Sequence, residues 1–350
     1  MKIYFLADTH LGKRGDNEIW LNDMYDYYDK ELFPYLRKVV KKDDILVHLG
    51  DVYDNRSQLG LKTINIGIHL FEQLSDIFTD IRICVGNHDI WQKHSNEITS
   101  VNILKYIPHI KIYYSPTLEN IGTKSVLFMP WVESHDEQKK VIKFYDVDYI
   151  FGHMEISGSV MNAKGVRVGG ENSLRSDDFK KAQVYAGHIH TKQDFKNVHY
   201  VGCPYQLDRG DMGNNKGITV LDVESGKTEF IENTYSPRFI RVSIYDVLDK
   251  NVEEIKKEWK NNYVDFVVKG VDMMSCNFEP LRDVMKDCYK EFNLIADNSE
   301  SVVKQNDINL SETKSSKDML YEYVNQIEVD ESMRKDIKER IEKFLERVKL

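Results

Sequence analysis

Apolar positions in the first two-thirds of the chain fall into two alternating kinds of run. Short continuous stretches, Ile3–Ala7, Ile45–Leu49, Ile81–Val85, Ser125–Met129, Tyr149–Phe151 and Gln183–Ala186, are β-branched or aromatic and mostly stop at a glycine or an acidic residue. That pattern predicts buried strands. Between them, Trp20–Val40 and Gly60–Phe78 carry apolar residues at helical spacing. The alternation predicts an α/β fold, layered around a mostly buried sheet. Gly217–Val223 and Thr228–Glu232 flank a Glu-Ser-Gly-Lys turn and predict a hairpin.

After Ser236-Pro237 the pattern restarts. Phe239–Ile244, Asp265–Val268 and Leu294–Ala296 read as strands, and Val252–Trp259 and Leu281–Phe292 as helices. The division expected from this is a main domain over 1–236, a small α+β domain over 237–297, a polar linker over 298–316 and a helical segment over 317–350. Leu320, Val324, Ile327, Ile337, Ile341, Phe344 and Val348 form the apolar stripe of that last segment.

Composition changes this picture little. The 350 residues, 41% hydrophobic and 30% charged with a net charge of −9, are ordinary for a soluble globular protein. The charge argues against a polycationic protein that binds nucleic acid non-specifically but not against a nucleic-acid enzyme, because bound cations would place positive charge where phosphate sits. Cys84, Cys203, Cys276 and Cys288 make neither a CxxC pair nor a disulfide scaffold, so a reducing cytosol is expected. Neither a leader peptide nor a membrane span is expected.

The chemistry lies at the strand ends. Asp8-Thr9-His10 follows the first strand, Gly50-Asp51-Val52-Tyr53-Asp54 the second and Gly86-Asn87-His88-Asp89 the third. Gly152-His153-Met154-Glu155 and Gly187-His188-Ile189-His190 follow two more. Alternate residues of an extended segment share a side, so Asp8 and His10 are expected to reach one cation together, and His188 and His190 repeat that alternate-residue geometry. Open α/β sheets place ligands at these carboxyl ends. Any one such motif is usually a turn, a cap or a satisfied histidine; five together point to a site. Oxygen and imidazole donors without thiolate suit Mn²⁺, Fe²⁺ or Zn²⁺ in a reactive site better than a structural zinc cage.

The order Asp-x-His, Gly-Asp-x-x-Asp, Gly-Asn-His-Asp, Gly-His, Gly-His-x-His resembles the calcineurin-like metallophosphoesterase superfamily. Gly202-Cys203-Pro204-Tyr205-Gln206 narrows the resemblance to SbcD-type DNA repair nucleases, the bacterial and phage branch of the meiotic-recombination-eleven family, most of all to the T-even phage form. The resemblance implies a β-sandwich flanked by helices, a DNA-capping domain after Pro237 and a tail that docks an SbcC-type SMC-like ATPase. It implies two divalent cations, Mn²⁺ foremost, with Mg²⁺, Fe²⁺ or Zn²⁺ as alternatives. Asp8, His10 and His190 would hold one, Asn87, His153 and His188 the other, with Asp51 bridging. His88 would be the catalytic histidine and Asp54 the carboxylate that orients it. Double- and single-stranded DNA ends as substrate, a homodimer, and a cytoplasmic setting (the host's, for a phage protein) are implied as well.

A phosphatase of the same superfamily is the competing enzyme, and a metal-free scaffold on the same fold the competing non-enzyme. Protein phosphatases usually carry Arg and Glu where Asn55 and Asp89 stand, and scaffolds lose ligands that are all present here. His48, His69, His94, His109, His135 and His199 read as structural or surface residues, Trp131 as core and Trp91 as surface. Lys164, Arg167 and Arg175 sit in a Gly-rich loop that would either contact phosphate or be simply solvated.

Overall fold

A computed structural model of the chain describes residues 1–92, 95–161, 165–170, 173–247, 250–269, 279–297 and 331–348. Instead of one buried sheet there are two, each of six strands. The first runs in the order Thr228–Glu232, Gly217–Asp222, Lys2–Leu6, Ile45–His48, Ile81–Cys84, Ile110–Tyr113. The second runs Gln193–Phe195, Val198–Tyr200, Gln183–Gly187, Tyr149–His153, Lys124–Met129, Thr117–Ile121. This is the β-sandwich flanked by helices that the resemblance implied.

Side-chain alternation explains the sandwich. Ile3, Phe5 and Ala7 point to the inner layer with Val47, Leu49, Phe128, Phe151 and Tyr185, while Tyr4 and Leu6 pack on the helical side. The inner layer is aromatic: Phe5 stacks on Tyr185 at 4.8 Å and Tyr113 on Phe128 at 4.1 Å between ring centroids. Helices cover both outer faces, so strands buried on two sides read as continuous apolar runs.

Several expectations need correction. The helix expected over Trp20–Val40 is α-helical over Glu18–Tyr27 and Phe33–Val39, with a wider π turn over Tyr28–Leu32 between them. Pro34 has no N–H to give the preceding turn, and the Phe33 amide bonds instead to the Tyr28 carbonyl. The helix expected over Leu281–Phe292 ends at Met285, and Glu291–Asp297 is a strand. Phe292 there stacks on Phe266 and lies against Trp259, an alternation the helical reading passed over. Short strands such as Ile90–Gln92, Ser95–Thr99 and Val198–Tyr200 also went unpredicted, being too short for a clear period.

By contact the chain divides into two units, Met1–Phe266 with Phe278–Leu294, and Val267–Asn277 with Ile295–Leu350. Within the first, the segment after Pro237 is bonded onto the sandwich. Arg14 lies over the rings of Trp20, Phe239 and Tyr263. Asp23 accepts from the Tyr263 hydroxyl at 3.0 Å and from Lys290 at 2.7 Å. Arg209 pairs with the buried Asp265 at 2.8 Å. Within the second, the helix Glu331–Val348 is described; the expected linker and Leu320, Val324 and Ile327 lie outside the described residues. Among those residues no helix is long and apolar enough to cross a membrane.

Candidate metal centre

The site forms where strands of both sheets end. Lys2–Leu6, Ile45–His48 and Ile81–Cys84 are parallel neighbours, as are Tyr149–His153 and Gln183–Gly187, so their carboxyl ends lie side by side. Asp8 and His10 reach the site by a different geometry from the alternation expected. The strand stops at Leu6, and both residues have left-handed backbone, with φ of 51° and 43°. Asp51 and His188 are left-handed too, at 56° and 87°. Four candidate ligands in a conformation that L-residues avoid cluster in one place, the pattern expected where surrounding structure enforces a functional geometry.

Two groups of donors result. Asp8, His10 and His190 converge, with His10 Nε2 and His190 Nε2 3.2 Å apart. Asn87, His153 and His188 converge beside them: His153 Nε2 is 2.8 Å from Asn87 Oδ1, and His188 Nδ1 is 3.0 Å from the same oxygen. Asp51 stands between. Its Oδ2 is 3.6 Å from His10 and 3.3 Å from His153, while its Oδ1 accepts the His88 amide at 2.7 Å.

The donor chemistry fits cations. His153 Nδ1 lies 2.9 Å from the Leu49 carbonyl, which can only accept, so Nδ1 carries the proton. Nε2 then faces the oxygens of Asn87 and Asp51, an arrangement that needs a positive charge among them, either a proton on the ring or a cation in its place. Burial opposes a proton on His153, but Asp51 and Asp8 outweigh it and raise its pKa to about 9. Burial and neighbouring His10 hold His190 well below the ordinary histidine range, leaving it neutral. Asp8 and Asp51 are almost wholly shielded from water, where unpaired carboxylates are costly.

His88 sits at the edge, half-buried, its ring 4.7 Å from that of His10. Burial lowers its pKa. Asp54 does not orient it in the way expected. The Asp54 carboxylate lies 3.0 Å from His10 Nδ1 and accepts from Lys13 at 3.0 Å; only the Asp54 backbone carbonyl accepts from His88 Nδ1, at 2.7 Å. The sharp turn that carries Asp54 aims its side chain at His10 and its carbonyl at His88. Trp131, expected in the core, is partly buried against it and also faces the site, its ring 5.1 Å from that of His188. Trp91 is half-exposed, as read. Arg167 donates to the Gly158 carbonyl at 2.7 Å within its own loop; Lys164 and His94 lie outside the described residues.

Three residues escaped the sequence reading. Asp89, fully buried, accepts the amides of Asp51, Val52, Tyr53 and Gly86 at 2.8–3.2 Å, tying the second motif to the third. Lys216, buried, donates to the His190 carbonyl and to Asp211, both at 2.6 Å. Its ammonium already fills the group formed by His190, Cys203 and Asp211, which therefore needs no metal. Gln206 accepts the Phe239 amide at 2.7 Å, while neighbouring Tyr205 donates to the Thr9 carbonyl at 2.6 Å. Asp89 and Gln206 lay inside quoted motifs; Lys216, beside two asparagines, has the local sequence of a solvated turn.

Two packed sheets with buried carboxylates, imidazoles and an amide gathered at their strand ends define a metallophosphoesterase. Residues 1–192 match the family model for calcineurin-like phosphoesterases, a family that binds divalent metals. Exonuclease subunit 1 of Enterobacteria phage T4 is 30% identical, with 93% of each chain covered. The SbcD component of the SbcCD nuclease of Staphylococcus epidermidis is 24% identical, with 94% of this chain and 96% of its own covered. The chain belongs to the calcineurin-like phosphoesterases and, within them, to the SbcD type of nuclease. It is a metal-dependent phosphodiesterase.

Proposed function

We propose that the chain is a two-metal DNA nuclease, an exonuclease on double-stranded ends and an endonuclease on single strands, acting in replication, recombination and repair. The observation that carries this is the pair of donor groups sharing Asp51. Asp8, His10 and His190 hold one cation and Asn87, His153 and His188 the other. Manganese is the proposed ion by likeness to the SbcD-type nucleases; donors of oxygen and imidazole alone suit it as they suit Fe²⁺ or Zn²⁺. Such a pair, when bound, acidifies a water and stabilises charge on the attacking and leaving oxygens of a phosphodiester.

The chain's own residues supply the rest. Asp51 is fixed by the His88 amide on one oxygen and leaves the other for both groups. His88, its Nδ1 proton on the Asp54 carbonyl, presents Nε2 as the atom that touches substrate and either positions the phosphate or exchanges a proton with the departing sugar oxygen. Lys13, a quarter exposed beside Asp54, adds a positive charge at the rim.

The relatives support the setting. One is named as part of SbcCD, and by that likeness an SbcC-type SMC-like ATPase is the proposed partner, held by the terminal segment 317–350 on the tether 298–316, with 237–297 as the DNA cap. A homodimer and a cytoplasmic location, the host's for a phage protein, belong to the same proposal. Digestion of end-labelled duplex and single-stranded DNA with Mn²⁺, Mg²⁺ and Zn²⁺ tests the activity; cleavage surviving excess chelator would overturn it. Truncation after Asp297 should keep simple cleavage and lose ATPase co-purification. Undiminished ATPase binding by the truncated chain would overturn the docking role.

A further inference from the structure

His188 offers one ring nitrogen to the second donor group and turns the other outward. Nδ1 faces Asn87 at 3.0 Å and His153 at 3.3 Å. Nε2 lies 3.5 Å from Glu155 Oε2. A neutral imidazole carries one proton, and the nitrogen beside a carboxylate keeps it. Glu155 belongs to the fourth motif, yet neither donor group uses it.

The backbone around Glu155 is held from both sides. Met154 and Ile156 are fully buried. The buried Tyr200 hydroxyl donates to the Met154 carbonyl at 3.0 Å and accepts the Ile156 amide at 2.9 Å. Only the Glu155 side chain between them projects towards the rim, where it is 31% exposed. A surface carboxylate without a purpose would not need so rigid a mount. On the other flank the Trp131 ring limits how far His188 can swing.

We infer that Glu155 is a positioning residue for the second cation: its carboxylate accepts the Nε2 proton of His188 and so keeps Nδ1 bare and aimed at the metal. A carboxylate stands in the like place in the first group, where Asp54 lies 3.0 Å from His10 Nδ1. Outer carboxylates of this kind fix the tautomer and raise the basicity of a ligating histidine. The inference rests on the two-cation reading above.

The test is Mn²⁺ titration of the full chain by calorimetry, with electron paramagnetic resonance to detect the coupled pair. The wild type should bind two ions. Glu155→Ala should weaken the second by about 10–100-fold and leave the first unchanged. Glu155→Gln, which keeps an oxygen acceptor, should recover most of that loss. Glu155→Asp, one methylene short, should lose as much as alanine although it keeps the charge. Unaltered second-site affinity in Glu155→Ala, or in Glu155→Asp, would overturn the inference, the latter by showing that charge rather than contact matters. If Glu155→Ala does not fold, the Gln and Asp variants decide by the same comparison. A wild type that binds fewer than two ions would instead overturn the two-cation reading itself.

Discussion

The two donor groups share Asp51 but are supported differently. In the first, Asp8 is fully buried and accepts the His188 amide on both oxygens, at 2.9 and 3.1 Å. His10 leans on Asp54, which Lys13 holds in turn. His190 is fixed through its carbonyl by Lys216. In the second group His153 rests on a backbone carbonyl, while the partly exposed His188 has only a longer contact with a rim carboxylate. The first group is the more heavily braced of the two, although each keeps one partly exposed histidine, His190 in the first and His188 in the second.

The largest effect should come from the position both groups depend on. A Cβ on Gly86 would stand 2.2 Å from the Asp51 amide nitrogen and 2.2 Å from its Oδ1. Backbone cannot yield as a flexible side chain would, so Gly86→Ala should cost at least about 3 kcal/mol and remove both cations. Thermal melting with metal analysis checks this; a stable Gly86→Ala protein holding two ions would show that Asp51 does not couple the groups. Asp89→Ala should have an effect of similar size. It strands four buried amides, each costing about 1–3 kcal/mol when unmet, although new water in the gap would recover part of that. The melting temperature should fall steeply, and both affinities with it.

Below these lie variants that should separate chemistry from binding. His88→Ala should abolish turnover with both cations retained, whereas His153→Ala should lose the second cation. Anomalous scattering at the metal edge distinguishes them, and loss of metal in His88→Ala would make His88 a ligand. That outcome has a geometric basis, since His88 lies with His10 and Asp51 within reach of a common point.

How much of this was readable from residue order divides along the same line. All seven proposed ligands stand in motifs at strand ends, and the strands themselves were legible because burial on two faces leaves unbroken apolar runs. Their geometry was not legible. Alternation along a strand suggested how Asp8 and His10 could converge, but left-handed turns bring them together, and nothing in Asp-Thr-His announces a positive φ. The Asp54 error has the same origin: a motif names a residue, not which of its atoms faces which neighbour. Asp89 and Lys216 act through backbone groups, and backbone hydrogen bonding between distant segments leaves no local pattern to read.

Asp54 offers the finest test of the difference between the groups. Asp54→Ala removes the carboxylate beside His10 and should weaken the first cation by about 10–100-fold, leaving the second within about twofold. That is the mirror image of the effect inferred for Glu155, so the two variants together form a crossed comparison. Asp54→Asn keeps an oxygen for the His10 Nδ1 proton but gives up the ion pair with Lys13, which is a quarter exposed and so contributes at most about 1 kcal/mol. The asparagine variant should therefore lie much nearer wild type than alanine. The His88 contact should survive in both, because it uses the Asp54 carbonyl, which neither substitution removes. Turnover at saturating Mn²⁺ should then return close to the wild-type rate. If Asp54→Asn instead stays inactive with both cations bound, the carboxylate acts on His88 or on substrate after all, and its place beside His10 is not what the reaction uses.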